Sequence, residues 1–146
     1  MKHIFLDTSV LVAFSGSFLG GSAYILDCCE RGKVKGYVSQ KVVFETRKNA
    51  AEIMGEDAGK AIEYVFNQGF LTIVPDPTEE ELRKANQAFH NPKDAPIIAS
   101  AKQIPQATFL LSLDNGFFKP KVKEYLIPIE VRKPGDFINR YREELK

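Results

Sequence analysis

The sequence lacks the features that mark several large classes of protein. Its 146 residues contain only two cysteines, and these are adjacent at positions 28 and 29. Adjacent cysteines disfavour an unstrained disulfide and cannot form a CxxC site, so we expect reduced thiols in a cytoplasmic protein. No apolar run approaches the roughly 20 residues that span a bilayer. Asp7 interrupts the apolar amino-terminal stretch and no small-residue cleavage site follows, so we expect no signal peptide.

Strong net charge and the common nucleotide-binding motifs are also absent. The chain carries 20 Lys and Arg against 19 Asp and Glu, so affinity for a polyanion must come from a local patch. The glycine-rich stretch GSFLGGS at residues 16–22 has no P-loop lysine and does not spell GxGxxG. His3 and His90 are isolated, and no cysteine or histidine cluster predicts a zinc site.

The composition that remains fits a globular α/β protein. With 44% hydrophobic residues and 11 Phe, residues 1–146 suffice for a single domain with a substantial core. Short apolar runs predict strands over residues 3–7, 70–74, 107–113 and 127–131, with a further short strand near 36–38. Polar and apolar periodicity predicts helices over residues 21–31, 39–53, 57–68, 78–89, 94–102 and 137–145.

The alternation of these elements predicts the architecture. Strands separated by helices imply parallel pairing through right-handed crossovers, hence a three-layer α/β/α sandwich with a central parallel sheet. Ser39 and Thr78 are predicted helix N-caps, and Thr78 forms a capping box with Glu81. In the last predicted helix, Phe137 and Tyr141 are among apolar residues at helical spacing. This helix is therefore expected either to dock on the core or to join a symmetric dimer.

Asp7 is the first candidate functional residue, because it interrupts the stretch IFLDTSVLVA at the end of a predicted buried strand. In open parallel sheets, ligands bind outside the carboxyl ends of the strands. An unpaired carboxylate there costs several kcal/mol unless something compensates it. An Asp-based phosphatase needs a second Asp two residues later, where this chain has Ser9. Metal binding with further carboxylates is favoured, and a receiver-type aspartyl phosphotransferase stays an alternative.

Three further acids are predicted to join Asp7. Asp114 follows the apolar strand in LLSLDNGFF, Asp94 shares a helical stripe with Ile97, and Glu45 lies at the edge of an apolar helix face. Each has a structural alternative: a turn former for Asp114, a helix cap for Asp94 and a solvated flank for Glu45. Taken together, they fall on two strand ends and two helix faces of one sandwich, which indicates a shared acidic site.

These segments resemble the PIN domain family, in its toxin-like bacterial and archaeal branch. The resemblance covers residues 3–137 and rests on the opening Asp-Thr-Ser, on VVFETRK, on NPKDAPIIASA and on TFLLSLDNGFF. Asp7, Glu45, Asp94 and Asp114 match the four acidic positions that the family uses to hold Mg²⁺ or Mn²⁺, and Ser9 and Ser112 match supporting polar positions. Two positions depart from the family: Asn91 stands where an extra acid is common, and Ser112 where Thr is common.

The resemblance implies a metal-dependent ribonuclease that leaves 5′-phosphate and 3′-hydroxyl ends. Asp7, Asp94 and Asp114 would be metal ligands, and Glu45 a ligand or a base that orients water. Carboxylate oxygens are the ligands that Mg²⁺ and Mn²⁺ prefer. RNA, an antitoxin protein and a second copy of the chain are the implied partners. The alternative is a catalytically degenerate PIN fold that serves as a binding or scaffolding module.

An acidic cleft repels RNA unless cations offset its charge. The candidate contacts to RNA phosphates are five basic residues that follow two of the acids in sequence: Arg47, Lys48, Lys119, Lys121 and Lys123. The structural alternative for each is a solvated surface charge. Phe117 and Phe118 are candidates for stacking on unpaired bases, although burial in the core is the more common use of Phe.

Overall fold

The structure, a computed structural model, describes residues 1–146 and is built around a five-stranded sheet. The strands are β1 (Lys2–Leu6), β2 (Val34–Ser39), β3 (Leu71–Val74), β4 (Phe109–Leu111) and β5 (Glu130–Arg132). Their order in the sheet is β3-β2-β1-β4-β5, and every neighbouring pair is parallel. The predicted three-layer α/β/α sandwich with a central parallel sheet is confirmed.

Nine α-helices connect and cover the strands. They are α1 (Thr8–Gly16), α2 (Gly21–Glu30), α3 (Gln40–Asn49), α4 (Glu56–Asn67), α5 (Glu79–Phe89), α6 (Ala95–Lys102), α7 (Pro120–Leu126), α8 (Pro134–Arg140) and α9 (Arg142–Leu145). A π-helical turn follows α3 at Ala50–Met54, and a 3-10 turn lies at Asn115–Phe118. No single helix is both long and apolar enough to cross a membrane, and α1 with α2 passes that test only as a pair bent by 104°.

The predicted helix caps are confirmed. The Ser39 hydroxyl accepts a hydrogen bond from the Val42 N–H at 3.2 Å and so begins α3. Thr78 and Glu81 form the reciprocal capping box that begins α5. Both motifs act within four residues, which is why the sequence alone was sufficient to predict them.

The prediction missed two helices and misjudged a third. Helix α1 lies within the apolar run that follows Asp7, and helix α7 begins with Pro120 after the last predicted acid. The predicted helix over 137–145 is two short helices, because the chain leaves helical geometry at Tyr141. Apolar residues on several sides of α1 conceal its period, because this helix packs against α2, α3 and α4 at once.

The apolar side chains form one cluster of 38 buried residues. Phe137 is fully buried and Tyr141 packs against the same cluster, so the last helices dock on the core, one of the two predicted outcomes. Phe117 is also fully buried, which excludes it as a stacking surface in this conformation. The adjacent thiols of Cys28 and Cys29 are buried and are not joined in a disulfide.

The strand order creates a switch point beside β1. Strands β2 and β3, which follow β1 in the chain, lie on one side of β1, whereas β4 and β5 lie on its other side. Leu6 is paired with Leu111, and the Asp7 N–H donates to the Leu111 carbonyl at 3.1 Å. Asp7 and Ser112 therefore leave their strands at the same level, where doubly wound sheets bind ligands.

Candidate active site

All four predicted acids line one cleft of about 200 Å³ at the carboxyl ends of β1 and β4. We call it the acidic cleft; its carboxylates belong to Asp7, Glu45, Asp94 and Asp114. Asp7 and Asp94 are the only charged residues that the fold buries, at 3% and 6% exposure. Because buried carboxylates require compensation, the hydrogen bonds around them decide what the cleft can do.

Asp7 is held through one of its two carboxylate oxygens. Its Oδ2 accepts hydrogen bonds from the Ser9 hydroxyl at 2.7 Å, the Ser112 hydroxyl at 2.8 Å and the Ser9 N–H at 3.4 Å. Its Oδ1 accepts none. Burial raises the pKa of Asp7, and the hydrogen bonds from Ser9 and Ser112 oppose that rise in part. Asp7 thus caps α1 with one oxygen and keeps the other unbonded.

Asp94 precedes α6 but makes no capping hydrogen bond, so the helix-cap interpretation of its side chain is wrong. Its Oδ2 instead accepts from Asn91 Nδ2 at 2.9 Å, while the Asp94 N–H donates to Asn91 Oδ1 at 3.3 Å. Burial raises the pKa of Asp94, the negative charge of Asp114 adds to the rise, and the Asn91 hydrogen bond opposes it. Asn91 therefore supports Asp94 as a hydrogen-bond donor.

Asp114 and Glu45 follow the same arrangement. Asp114 Oδ1 accepts from the Gly116 N–H at 2.9 Å and caps the 3-10 turn, so the turn-forming role predicted for it is real. Glu45 Oε1 accepts from the Thr8 hydroxyl at 3.2 Å. The second oxygen of each side chain accepts no hydrogen bond. All four carboxylates therefore use one oxygen for the fold and leave one available in the cleft.

The donor set fits a hard divalent cation, although the side chains do not form a closed cage. No three His, Cys, Asp or Glu side chains lie close enough together to hold a metal ion directly. Mg²⁺ keeps several of its waters and needs only one or two carboxylates as direct ligands. Four unbonded carboxylate oxygens in one cleft suit such a cation in charge and chemistry.

Four residues around the cleft were not predicted as part of a site. Thr8, Asn49 and Lys93 line it, and Lys93 lowers the pKa of Asp94 by its charge. A Cβ added to Gly116 would lie 3.0 Å from Asp94 Oδ2 and 3.3 Å from Asp114 Oδ1. The position of Thr8 within Asp-Thr-Ser was the available signal for its role. Lys93 and Asn49 carried none, because their approach to the cleft depends on helix packing.

The five predicted basic residues do not share one surface. Lys119 and Lys121 line a pocket of about 610 Å³ together with Asn91, whereas Lys123 lines a different depression. Arg47 forms an ion pair with Glu63 at 2.9 Å between Nε and Oε2. Lys48 is exposed on α3 and forms no ion pair. The pocket lined by Lys119 and Lys121 is the basic surface that adjoins the cleft, and we call it the basic pocket.

Comparison with known proteins agrees with this arrangement. The family model of the PIN domain matches residues 3–116. The fold is similar to that of PAE2754 from Pyrobaculum aerophilum, with a TM-score of 0.59 and 14% identity over 97% of this chain and 90% of that one. It is also similar to FitAcB from Neisseria gonorrhoeae, with a TM-score of 0.56 and 19% identity over 90% of this chain and 98% of that one. A search of curated proteins found no match in sequence. The chain belongs to the PIN domain family.

Proposed function

We propose that residues 1–146 act as a single nuclease domain, a Mg²⁺- or Mn²⁺-dependent endoribonuclease of the cytoplasm. The observation that carries the proposal is the state of the four carboxylates in the acidic cleft. Each has one oxygen held by hydrogen bonds within the chain and one oxygen free of them. A carboxylate that only capped a helix or satisfied buried amides would not need three similar neighbours, whose mutual repulsion is unfavourable without a cation.

The residues of the cleft divide the work of hydrolysis between them. Asp7, Asp94 and Asp114 are the proposed metal ligands, one or two of them binding the cation directly and the rest through its bound waters. Glu45 is either a ligand or the base that orients the attacking water. A divalent cation held by these residues would lower the pKa of the attacking water and neutralise charge on the phosphate and the leaving oxygen. Ser9 and Ser112 fix the orientation of Asp7, and Asn91 fixes that of Asp94. Preorganised side chains of this kind reduce the rearrangement needed during the reaction.

Cleavage of a labelled single-stranded RNA by the purified protein tests this proposal. We expect cleavage with Mg²⁺ or Mn²⁺, none with EDTA, and a loss of at least about 100-fold in Asp94→Asn, since a metal ligand is removed. Asp57→Asn is the matched control, because Asp57 is exposed in the first turn of α4. Cleavage by Asp94→Asn at the wild-type rate, with contaminating nucleases excluded, contradicts the proposal. If the wild type binds RNA but does not cleave it, the result favours the alternative of a catalytically degenerate binding module.

Two protein partners belong to the same proposal. Toxin-like PIN domains pair with an antitoxin and associate as homodimers, so we propose both for this chain. Because Phe137 and Leu145 are buried against the core, the apolar face of the last helices is not free to form a dimer interface. Light scattering that shows a monomer over a wide concentration range contradicts the homodimer. The genomic neighbourhood tests the antitoxin, since a small reading frame immediately upstream is expected.

A further inference from the structure

We propose that the basic pocket binds one unpaired nucleotide of a single-stranded RNA, next to the phosphate that lies in the acidic cleft. The inference rests on the proposed nuclease function and names the form of RNA that the site accepts. It is carried by the position of the pocket, by the unpaired lysines on its rim and by the aromatic and aliphatic residues that line it.

The basic pocket and the acidic cleft share a wall. Asn91 lines the pocket and at the same time donates through Nδ2 to Asp94 Oδ2 at 2.9 Å. Two residues further along the chain, Lys93 lines the acidic cleft. The segment from Pro92 to Asp94 therefore passes from one cavity to the other. A nucleotide seated in the pocket is one side chain away from the carboxylates.

The rim of the pocket carries positive charge that the fold does not neutralise. Lys119 and Lys121 are exposed and line the pocket, and neither takes part in an ion pair, whereas Arg47 and Arg83 are paired with glutamates. The molecule as a whole has a net charge of only +1. A polyanion is therefore attracted by local groups of cations such as this one and not by the charge of the whole molecule. Two unpaired ammonium groups suit the phosphates on either side of one nucleotide.

The walls suit a nucleobase better than a phosphate alone. Besides its polar residues, the pocket is lined by Phe89, His90, Pro92 and Val122, which bring two aromatic and two aliphatic side chains to one cavity. At about 610 Å³, the cavity is within the usual size of small-ligand sites. Bases bind single-strand sites by stacking on flat side chains, and a base inside a duplex is not free to enter such a cavity.

The pocket is also held in place by the backbone around it. His90 has a left-handed conformation, with φ of 49°, and ends α5. The Ala95 N–H donates to the Asn91 carbonyl at 2.8 Å, which closes the turn before α6. A preformed cavity loses little conformational freedom on binding.

Binding is measured by fluorescence anisotropy with a labelled ten-nucleotide single-stranded RNA, in EDTA so that no cleavage occurs. In Lys119→Gln/Lys121→Gln we expect binding to weaken roughly tenfold and the slope of log K against log salt to fall by about one to two. The matched control is Lys33→Gln/Lys35→Gln, which removes the same charge beside the amino-terminal end of β2. This end of the parallel strands lies opposite the end that carries the acidic cleft. We expect the control to bind within about twofold of the wild type.

The His90→Asn variant separates base stacking from charge. Asn tolerates the left-handed conformation of this position, so the fold is retained while the ring is lost. We expect binding to weaken roughly fivefold or more with an unchanged salt slope. The inference would be overturned if the pocket variant Lys119→Gln/Lys121→Gln and the control Lys33→Gln/Lys35→Gln lost affinity equally, or if His90→Asn bound as well as the wild type. It would also be overturned if the wild type bound duplex and single-stranded RNA with equal affinity, or bound no RNA. Pocket-dependent binding without cleavage would overturn the nuclease function alone.

Discussion

The Ser112 hydroxyl donates a hydrogen bond to Asp7 Oδ2 at 2.8 Å and accepts one from the Asp114 N–H at 2.9 Å. It thereby joins the ends of β1 and β4, which are 105 residues apart in the chain. One buried hydroxyl thus positions two of the four carboxylates of the acidic cleft.

Substitution of Ser112 should affect both stability and metal binding. Ser112→Ala removes a donor to a buried carboxylate, so we expect unfolding in urea to require about 1–3 kcal/mol less free energy. We also expect a smaller rise in melting temperature with Mn²⁺, because Asp7 loses a contact that orients it. Ser100→Ala is the matched control, since Ser100 is buried but makes only a 3.4 Å hydrogen bond. Equal effects of the two substitutions would contradict a special role for Ser112.

Asp7→Asn should have opposite effects on stability without metal and on stabilisation by metal. The variant removes a buried charge, and burial is the cause that raises the pKa of Asp7. In EDTA at neutral pH we therefore expect it to melt at or above the wild-type temperature. We expect it to lose the stabilisation that Mn²⁺ gives the wild type. Thermal melts of both proteins, with EDTA and then with excess Mn²⁺, measure this. A variant that is less stable in EDTA, together with a wild type that gains nothing from Mn²⁺, would refute the metal site.

The pH dependence of the same comparison has a definite sign. Burial raises the pKa of Asp7 in the folded protein. Its stabilising contribution is therefore complete below the unfolded-state pKa of about 3.9 and is lost as pH rises through the folded-state pKa. In EDTA, the melting temperature of Asp7→Asn relative to the wild type should rise with pH from about 4 and then level off. A difference that falls with pH over this range would show that the folded state lowers this pKa.

Gly116→Ala should disturb the cleft without disturbing the fold. The added Cβ would lie 3.0 Å from Asp94 Oδ2 and 3.3 Å from Asp114 Oδ1, so these carboxylates must move apart. We expect a loss of Mn²⁺-induced stabilisation and of RNA cleavage, with a change in stability in EDTA of less than about 1 kcal/mol. Gly135→Ala is the control, because nothing lies within 4 Å of its added Cβ. The helical position of Gly135 predicts a gain of about 0.5–1 kcal/mol there.

The amino-acid sequence by itself determined the features that act over a few residues. The Ser39 cap and the Thr78–Glu81 capping box are local, and they were predicted correctly. The alternation of apolar runs and amphipathic segments was enough to predict a parallel sheet covered by helices. The same patterns placed Asp7 and Asp114 after strands, and so at the edge where such sheets bind ligands.

Only the tertiary structure decided how the acids are used. The sequence could not show that Asp94 is left uncapped and held by Asn91, that Lys93 lines the cleft, or that α1 is a helix. Each of these depends on packing between distant segments. The hydrophobic effect that drives this packing is not directional, so a pattern of apolar residues does not specify which distant side chains will meet. The free oxygen of each carboxylate is a difference between two chemically identical atoms, and only their neighbours in the fold distinguish them.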